Sequence, residues 1–257
     1  MALTLQECRR MMDGCSTAGV QLAIGHTIRF FGTFRTVRRL VAEGVIGTPV
    51  SGSFDRTSAT KPRRVSDDAR WSGHWREDPR NSGGSVLEGF IHELDCIRSV
   101  FGTVAGVSAD IAGNQEYDGY LSPQTVQGLV RFESGALVTA RTGSAVGVPS
   151  RGYWIGGTAG GLRFDQWGKP VSLYRPEQDE PELIDAETNN PYTVELEDLL
   201  AAIRGDVEEP ENSGRNGLEN VGLGLAFYRS CEIGTRVSFT DGIPDLPEDY
   251  QNTSFTF

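Results

Sequence analysis

The residues best suited to acid–base chemistry lie on one predicted helix, which opens at Gly83-Gly84 and runs to about Val100. At about 100° per residue, Glu88, His92 and Asp95 fall along one side of this helix. The apolar positions on its other side are Val86, Leu87, Phe90, Leu94 and Ile97. A histidine beside a carboxylate titrates near neutral pH, and that partner sets its tautomer. The spacing therefore favours an acid–base site at His92, supported by Glu88.

Two other interpretations of this polar line stay open. The first is a solvated helix face on which Glu88 pairs with His92 at i,i+4. The second is a metal site in which Glu88 and His92 share one ion with His26 or His74, although no fixed spacing supports it. Two adjacent glycines before the helix would let another segment or a ligand approach closely.

Charge and composition exclude several classes of partner. The chain has 257 residues, with 35 acidic against 24 basic side chains and a net charge of −11. This balance disfavours nucleic acid and anionic membranes. There is no run of about 18 apolar residues and no signal-peptide pattern at the N-terminus, so a cytoplasmic protein is expected. The four cysteines form no CxxC pair and are expected to be buried thiols.

The first elements that must position the site form an α/β pattern. Thr4 and Glu7 make a capping box for a helix, Gln21–Gly25 is strand-like, and a second helical stripe ends near Gly44. A strand is predicted over 50–58. The polar segment that follows has no periodicity, and a loop this long in a compact domain is usually functional. It carries Trp71, His74, Trp75 and Arg76.

The second half of the chain has strand-like segments that are separated by the signals of tight turns. Six strands are expected, at Val104–Ile111, Thr125–Phe132, Ala136–Ser144, Tyr153–Gly156, Leu162–Phe164 and Val171–Tyr174. Helices are predicted at Thr193–Arg204 and Gly217–Ile233, then a strand at Val237–Phe239 and a tail or surface arm over Asp241–Phe257. The prediction is an α+β fold with an open, mostly antiparallel sheet covered by helices on one face. The other face would meet substrate, a partner subunit or solvent.

Two glycine-rich stretches do not fit a phosphate-binding loop. Gly156–Gly161 lies between two predicted strands with no helix after it, which predicts a hairpin. Gly222-Leu223-Gly224 lies inside a predicted helix, which favours close helix packing. The dinucleotide-binding pattern of strand, GxGxxG and helix is therefore not found in this sequence.

Taken in order, several segments resemble the Gfo/Idh/MocA family of NAD(P)-dependent oxidoreductases, named after glucose–fructose oxidoreductase, inositol dehydrogenase and MocA. The resemblance covers about Ala2 to Phe239 and depends on the order and spacing of the segments together. They are Gly19–Phe30, Leu40–Gly47, Trp75 followed by Ser82-Gly83-Gly84, Gly89–Asp95 and Gly156–Gly160.

The resemblance implies hydride transfer between NAD or NADP and a hydroxyl of a sugar or cyclitol. In the family, the histidine of the Gly89–Asp95 motif assists proton transfer, which maps onto His92. An acidic residue four positions earlier often joins it, and here Glu88 replaces the usual aspartate. The predicted substrate-binding residues are Arg29, Trp71, Trp75, Arg76 and Asp95. A homodimer or homotetramer through the open sheet face is also implied.

Two family features are missing from the sequence: the GxGxxG half and the E-K-P motif with its lysine. Neither Lys61 nor Lys169 falls at that lysine's position. Residues 1–45 are thus interpreted as a remnant of the dinucleotide-binding Rossmann domain, and 46–257 as the substrate-binding and oligomerisation domain. Three hypotheses stay open: part of a longer oxidoreductase, a half completed by a separate chain, or a cofactor-free protein that binds a sugar-like ligand or acts as a scaffold. The exposed edges of a lone strand at Gln21–Gly25 favour the first.

Overall fold

The structure is a computed structural model that describes residues 2–58, 79–113, 116–117, 120–121, 124–144, 149–165 and 167–253. The α-helices are α1 (Leu5–Ala18), α2 (Gly32–Ala42), α3 (Pro79–Ser82), α4 (Ile91–Phe101), α5 (Pro191–Arg204) and α6 (Gly214–Ile233). A 3-10 turn spans Thr27–Phe30 and a π-helical turn spans Val86–Phe90. The strands are β1 (Pro49–Thr57), β2 (Val104–Ala112), β3 (Glu116–Tyr117), β4 (Tyr120–Leu121), β5 (Gln124–Phe132), β6 (Leu137–Ser144), β7 (Ser150–Gly157), β8 (Gly161–Phe164), β9 (Val171–Tyr174), β10 (Glu182–Ile184), β11 (Val237–Thr240) and β12 (Ile243–Pro244).

The fold is a mixed α and β structure built on one large sheet. Within the described residues, ten strands run in the order β10-β9-β8-β7-β1-β6-β5-β2-β11-β12, and β3 and β4 form a separate pair. Neighbouring strands of the sheet are antiparallel except β1 and β6, which are parallel. The predicted open, mostly antiparallel sheet is therefore confirmed.

Helices cover one face of this sheet and build the core there. Phe54 of β1, Tyr153 of β7 and Phe164 of β8 are buried, and the rings of Tyr153 and Phe164 stack with centroids 5.2 Å apart. On β5, Gly128 makes room for Phe227 of α6, since a Cβ at Gly128 would lie 2.4 Å from that ring. The missing side chain lets α6 lie close against the sheet.

The strand predicted over Gln21–Gly25 is wrong. Ala23 forms only an isolated antiparallel bridge with Ser213, and the Ile24 amide donates to the Asn212 carbonyl at 2.7 Å. The reason is that a strand needs neighbours to complete its ladder of hydrogen bonds, and among the described residues the ladder pairing of this segment is limited to that bridge. Apolar side chains of α1 and α2 join the same core as the sheet. The domain boundary between residues 45 and 46 stays a prediction.

The C-terminal segment packs against the body of the protein, so over the described residues it is a surface arm and not a free tail. The Gln6 amide donates to the Glu248 carbonyl at 2.9 Å. Asn252 is fully buried, and its side chain donates to the Gly83 carbonyl at 3.1 Å. The predicted close approach at the double glycine is thus made by this segment. Residues 254–257 lie outside the described part.

The structure also bears on the expectations for the cysteines and for membrane-spanning helices. The four cysteines are free, with Cys8 and Cys96 buried and Cys15 and Cys231 half-buried. Among the described residues, none of the helices combines the length and hydrophobicity needed to span a bilayer.

Candidate active site

His92 sits in the first turn of α4, directly after the π-helical turn. The helical wheel assumed 100° per residue throughout, and a π turn breaks that spacing between Glu88 and His92. The prediction that Asp95 faces away from the packed side of the helix is also wrong, since Asp95 is fully buried. The 3-10 turn and α6 cover this side of α4. Both elements are far from α4 in the chain, so the sequence pattern of the helix itself does not indicate that they pack there.

The His92 ring is partly buried and lies edge-on to His26, with centroids 5.8 Å apart and planes at 83°. Its Nδ1 atom is buried and has no hydrogen-bond partner among the residues the structure describes. Burial lowers the pKa of His92 to about 4, and His26 and the Arg56 guanidinium act in the same direction. At neutral pH the imidazole is therefore uncharged and able to accept a proton.

Asp95 forms the centre of a buried polar network below His92. Arg29 donates through Nε to Asp95 Oδ2 at 2.8 Å and through Nη2 to Oδ1. Asn220 and Asn216 of α6 donate to Oδ1 at 2.6 and 2.9 Å. Burial alone would raise the pKa of Asp95, but its contacts with His26 and Arg29 outweigh burial and hold that pKa well below the usual range. The network therefore contains a fixed carboxylate anion.

Asn220 connects His26 to the Asp95 network. The Asn220 side-chain oxygen accepts from Arg98, and its Nδ2 lies 2.9 Å from His26 Nδ1. His26 Nδ1 also lies 3.6 Å from Asp95 Oδ1. The Asp95 network thus holds His26 in one orientation beside His92.

Glu93, the next residue after His92, belongs to a second buried cluster. Its Oε1 accepts from the Tyr153 hydroxyl at 3.2 Å and lies 3.2 Å from Arg56 Nη1. Burial raises the pKa of Glu93 to about 7 even though the Arg56 charge opposes this. Sequence reasoning missed Glu93 because its partners come from β1 and β7, which are distant in the chain.

The structure brings only some of the predicted site residues together. His92 lies beside the assembly of Arg29 and Asp95, while no hydrogen bond or ion pair among the described residues joins His92 to Glu88. Arg29 is buried, which places it below the site instead of at a pocket mouth. Their catalytic and substrate-binding roles stay predictions. Four other residues of interest lie outside the described residues: Trp71, His74, Trp75 and Arg76.

The sequence did not predict that three polar residues belong to this network. His26 was predicted only as a possible metal ligand, and no role was predicted for Asn216 or Asn220. A signal existed, because two asparagines at i,i+4 interrupt a helix of mostly apolar and glycine residues. The buried amide of Asn220 and the half-buried amide of Asn216, on one face of a helix, indicate a polar partner.

Neither glycine-rich stretch provides a cradle of free backbone amides for the pyrophosphate of a dinucleotide. In the Gly156–Gly161 hairpin, the amides of Gly157, Thr158 and Ala159 already donate to carbonyls of the chain. Gly222 and Gly224 lie inside α6 against neighbouring side chains, so the hairpin and helix-packing predictions are confirmed. The described residues also contain no group of three His, Cys, Asp or Glu side chains placed to hold a metal ion.

Comparison with known proteins identifies the family. Residues 38–239 match the family described as "Oxidoreductase family, C-terminal alpha/beta domain", which is the C-terminal domain of the Gfo/Idh/MocA proteins. The match covers more than half of the chain. The chain therefore belongs to this oxidoreductase family, as the sequence motifs indicated.

Individual relatives extend the match and show its limits. The chain is 32% identical over 177 residues to 2,7-anhydro-N-acetylneuraminate hydratase of Escherichia coli, covering 67% of this chain and 45% of that protein. It is 26% identical to 1,5-anhydro-D-fructose reductase of Ensifer adhaerens, covering 95% and 72%. The crystal structure of aldose-aldose oxidoreductase from Caulobacter crescentus superposes with a TM-score of 0.76 at 24% identity, covering 93% and 70%. At that identity the likeness shows the fold alone.

Proposed function

We propose that this chain provides the substrate-binding half of an oxidoreductase that acts on a sugar or cyclitol, with His92 as its acid–base residue. The observation that carries this proposal is the state of His92. Its imidazole is neutral at pH 7, and its buried Nδ1 has no partner among the described residues. A general base must be unprotonated to accept a proton and must lie within hydrogen-bond reach of the group that it deprotonates.

In the proposed reaction, His92 takes the proton of the substrate hydroxyl during oxidation and returns it during reduction. The fixed anion of Asp95 opposes the lowering of the His92 pKa by burial. It therefore stabilises the imidazolium that forms. Arg29 and Asn220 keep Asp95 and His26 in place and act as positioning residues. Glu88 remains the proposed supporting acid, acting from the π-helical turn.

Two features of the proposal come from relatives. A levoglucosan dehydrogenase that shares this fold was solved in complex with NADH, which supports NAD or NADP as the redox partner. No step is assigned to that partner here, since neither glycine-rich stretch provides a cradle for its pyrophosphate. The names of the two curated relatives describe a hydratase and a reductase of anhydro-sugar derivatives. A small sugar-like substrate is therefore proposed.

A cofactor-free module that binds a sugar-like ligand is the second candidate. It is favoured by the glycine-rich hairpin, whose amides are used within the chain. Calorimetric titration with NAD⁺ and NADP⁺ tests whether this chain binds a nicotinamide cofactor. Saturable binding supports an enzyme, and no binding leaves either the substrate-binding half of an enzyme or the module.

The acid–base role is tested by substituting His92. The chain is titrated with D-glucose and myo-inositol and assayed with NAD⁺ and NADP⁺, beside His92→Gln and the surface control Asp13→Asn. Where turnover is found, His92→Gln is expected to lower it about 10²–10⁴-fold, while the control keeps it. Failure of every sugar and cyclitol to bind would contradict the proposal, as would full turnover in His92→Gln.

We further propose self-association through the sheet face that the helices leave open. Leu129, Trp154 and Tyr174 are 41, 45 and 44% exposed, and they project to this face from β5, β7 and β9. Large apolar side chains on a flat face are typical of subunit interfaces. A cytoplasmic location is proposed as well, because four free cysteines fit a reducing compartment.

A further inference from the structure

Two arginines occupy directly opposed positions on neighbouring strands. Arg56 of β1 pairs in register with Arg151 of β7. Like charges in this arrangement repel each other and destabilise a sheet. Both guanidiniums lie over the ring of Trp167, with their central carbons 5.7 and 4.8 Å from its centroid. The aromatic ring attracts each cation but leaves their charge unneutralised.

The described residues compensate for only one of these charges. Arg56 Nη1 lies 3.2 Å from Glu93, and Nη2 donates to the Gly89 carbonyl at 2.9 Å. No carboxylate within the described ranges is in ion-pair distance of Arg151. With Glu93 ionised, the cluster carries one net positive charge. The second carboxylate oxygen of Glu93 is buried and has no partner among the described residues.

The arginines open onto a cavity beside the candidate active site. Its volume is about 220 Å³, and both guanidiniums line it together with the hydroxyl residues Ser58, Ser85 and Thr142. Gly89 and Phe90, the residues just before α4, form another wall. The charge of Arg56 is close enough to lower the pKa of His92. The cavity therefore joins cationic and hydroxyl groups next to the proposed acid–base residue.

We infer that this cavity binds the carboxylate of a sugar acid between Arg56 and Arg151 and directs the sugar ring toward His92. The inference rests on the proposed function and names its substrate class. Guanidinium groups match the planar geometry of a carboxylate. The two arginines keep a net positive charge whether Glu93 is ionised or protonated, which matches an anion, and the neighbouring hydroxyls match the polar ring of a sugar.

The test compares sugar acids with neutral sugars of the same configuration. The 257-residue chain is titrated calorimetrically with D-glucuronate against D-glucose, and with D-galacturonate against D-galactose. At least one acid is expected to bind about tenfold more tightly than its neutral partner. Added salt is expected to reduce this preference by screening the charges. D-Glucose 6-phosphate is included as a sugar bearing a different anion.

Arg151 provides the informative variant, since it is exposed and its loss breaks no ion pair among described residues. Arg151→Gln should remove the preference for the acid, and Arg151→Lys should retain part of it. Arg131→Gln makes the same charge change on an exposed residue of β5 and should have no effect. Urea unfolding of each variant confirms that it is folded.

Several results would overturn the inference: no acid binds, neutral sugars bind equally well, or the phosphate ester binds best. Equal losses in Arg151→Gln and Arg131→Gln would also overturn it, because only net charge would then matter. These failures are separable from failure of the proposed function. Neutral sugars that bind and turn over with dependence on His92 would preserve that function while excluding the sugar acid.

Discussion

His92 and Glu93 are adjacent residues whose pKa values move in opposite directions for one reason. Burial disfavours the charged form of each group. The pKa of the histidine falls from 6.5 to about 4, and that of the glutamate rises from 4.5 to about 7. Near neutral pH, each side chain therefore has a neutral form available inside the protein.

When either side chain is replaced, the effect of the other on the pH dependence of folding stability is expected to become measurable. In Glu93→Gln, the unfolded chain protonates His92 near pH 6.5 but the folded chain only near 4, so stability should fall as pH drops through that window. In His92→Gln, folded Glu93 keeps its proton up to about pH 7, so stability should fall as pH rises from 4.5 to 7. Each effect amounts to about 3 kcal/mol at most.

Urea unfolding at half-unit intervals of pH measures these slopes. In the unsubstituted chain the two effects oppose each other, so its stability should change less than that of either variant. Parallel pH profiles for the unsubstituted chain and both variants would contradict the opposite shifts.

Asp95 is the residue on which the polar network most depends. Asp95→Asn removes the buried anionic partner of Arg29 and leaves it only a 4.0 Å contact with the Glu211 carboxylate. Breaking one side of a buried pair costs about 3–5 kcal/mol. The exposed control Asp13→Asn should change the free energy of unfolding by less than about 0.5 kcal/mol. Chemical denaturation measures both variants. A cost for Asp95→Asn as small as that of the control would remove the structural role assigned to the network.

At the scale of elements, the same substitution is expected to have opposite effects in two helices. Gly14 of α1 has nothing within 4 Å of an added Cβ, so Gly14→Ala should gain about 0.5–1 kcal/mol from helix propensity. In α6, a Cβ on Gly222 would lie 2.7 Å from the ring of Pro244. Because that ring is rigid, Gly222→Ala should cost about 1–3 kcal/mol through overpacking.

Thermal unfolding of the two alanine variants checks this difference. Gly14→Ala should raise the midpoint and Gly222→Ala should lower it. Shifts of the same sign would show that the segment around Pro244 does not pack on α6 in solution, and the C-terminal segment would then behave as a free tail.

At the scale of the whole molecule, the open sheet face is expected to carry subunit contacts. Leu129→Glu puts a charge on this face and should convert a dimer or tetramer into monomers, since an unpaired charge is costly to bury. Leu196→Glu is the matched control, because Leu196 is 61% exposed on α5, outside the sheet. It should leave assembly unchanged.

Sedimentation of both variants at several protein concentrations measures this directly. A monomeric unsubstituted chain would exclude the proposed interface. Dissociation by Leu196→Glu instead would move the interface to α5.

Most of the regular elements could be predicted because their signals are local. Thr4 caps α1 by accepting from the Glu7 amide, and the predicted strands from Val104 to Tyr174 are found with shifted ends. Where prediction failed, the outcome depended on a distant partner. The segment Gln21–Gly25 has the composition of a strand, but its ladder pairing among the described residues is limited to the isolated bridge between Ala23 and Ser213. The strand β10 is too short, at three residues, to give a pattern.

The sequence by itself determined the periodic elements, the family and the placement of His92 in a helix. These follow from side-chain spacing and from motifs within a few residues of each other. Only the tertiary structure joined Arg29, Asp95 and Asn220, placed Arg56 opposite Arg151, and buried Glu93. Strand register and desolvation depend on residues far apart in the chain. For that reason the charge states of the candidate site became readable only once the chain was folded.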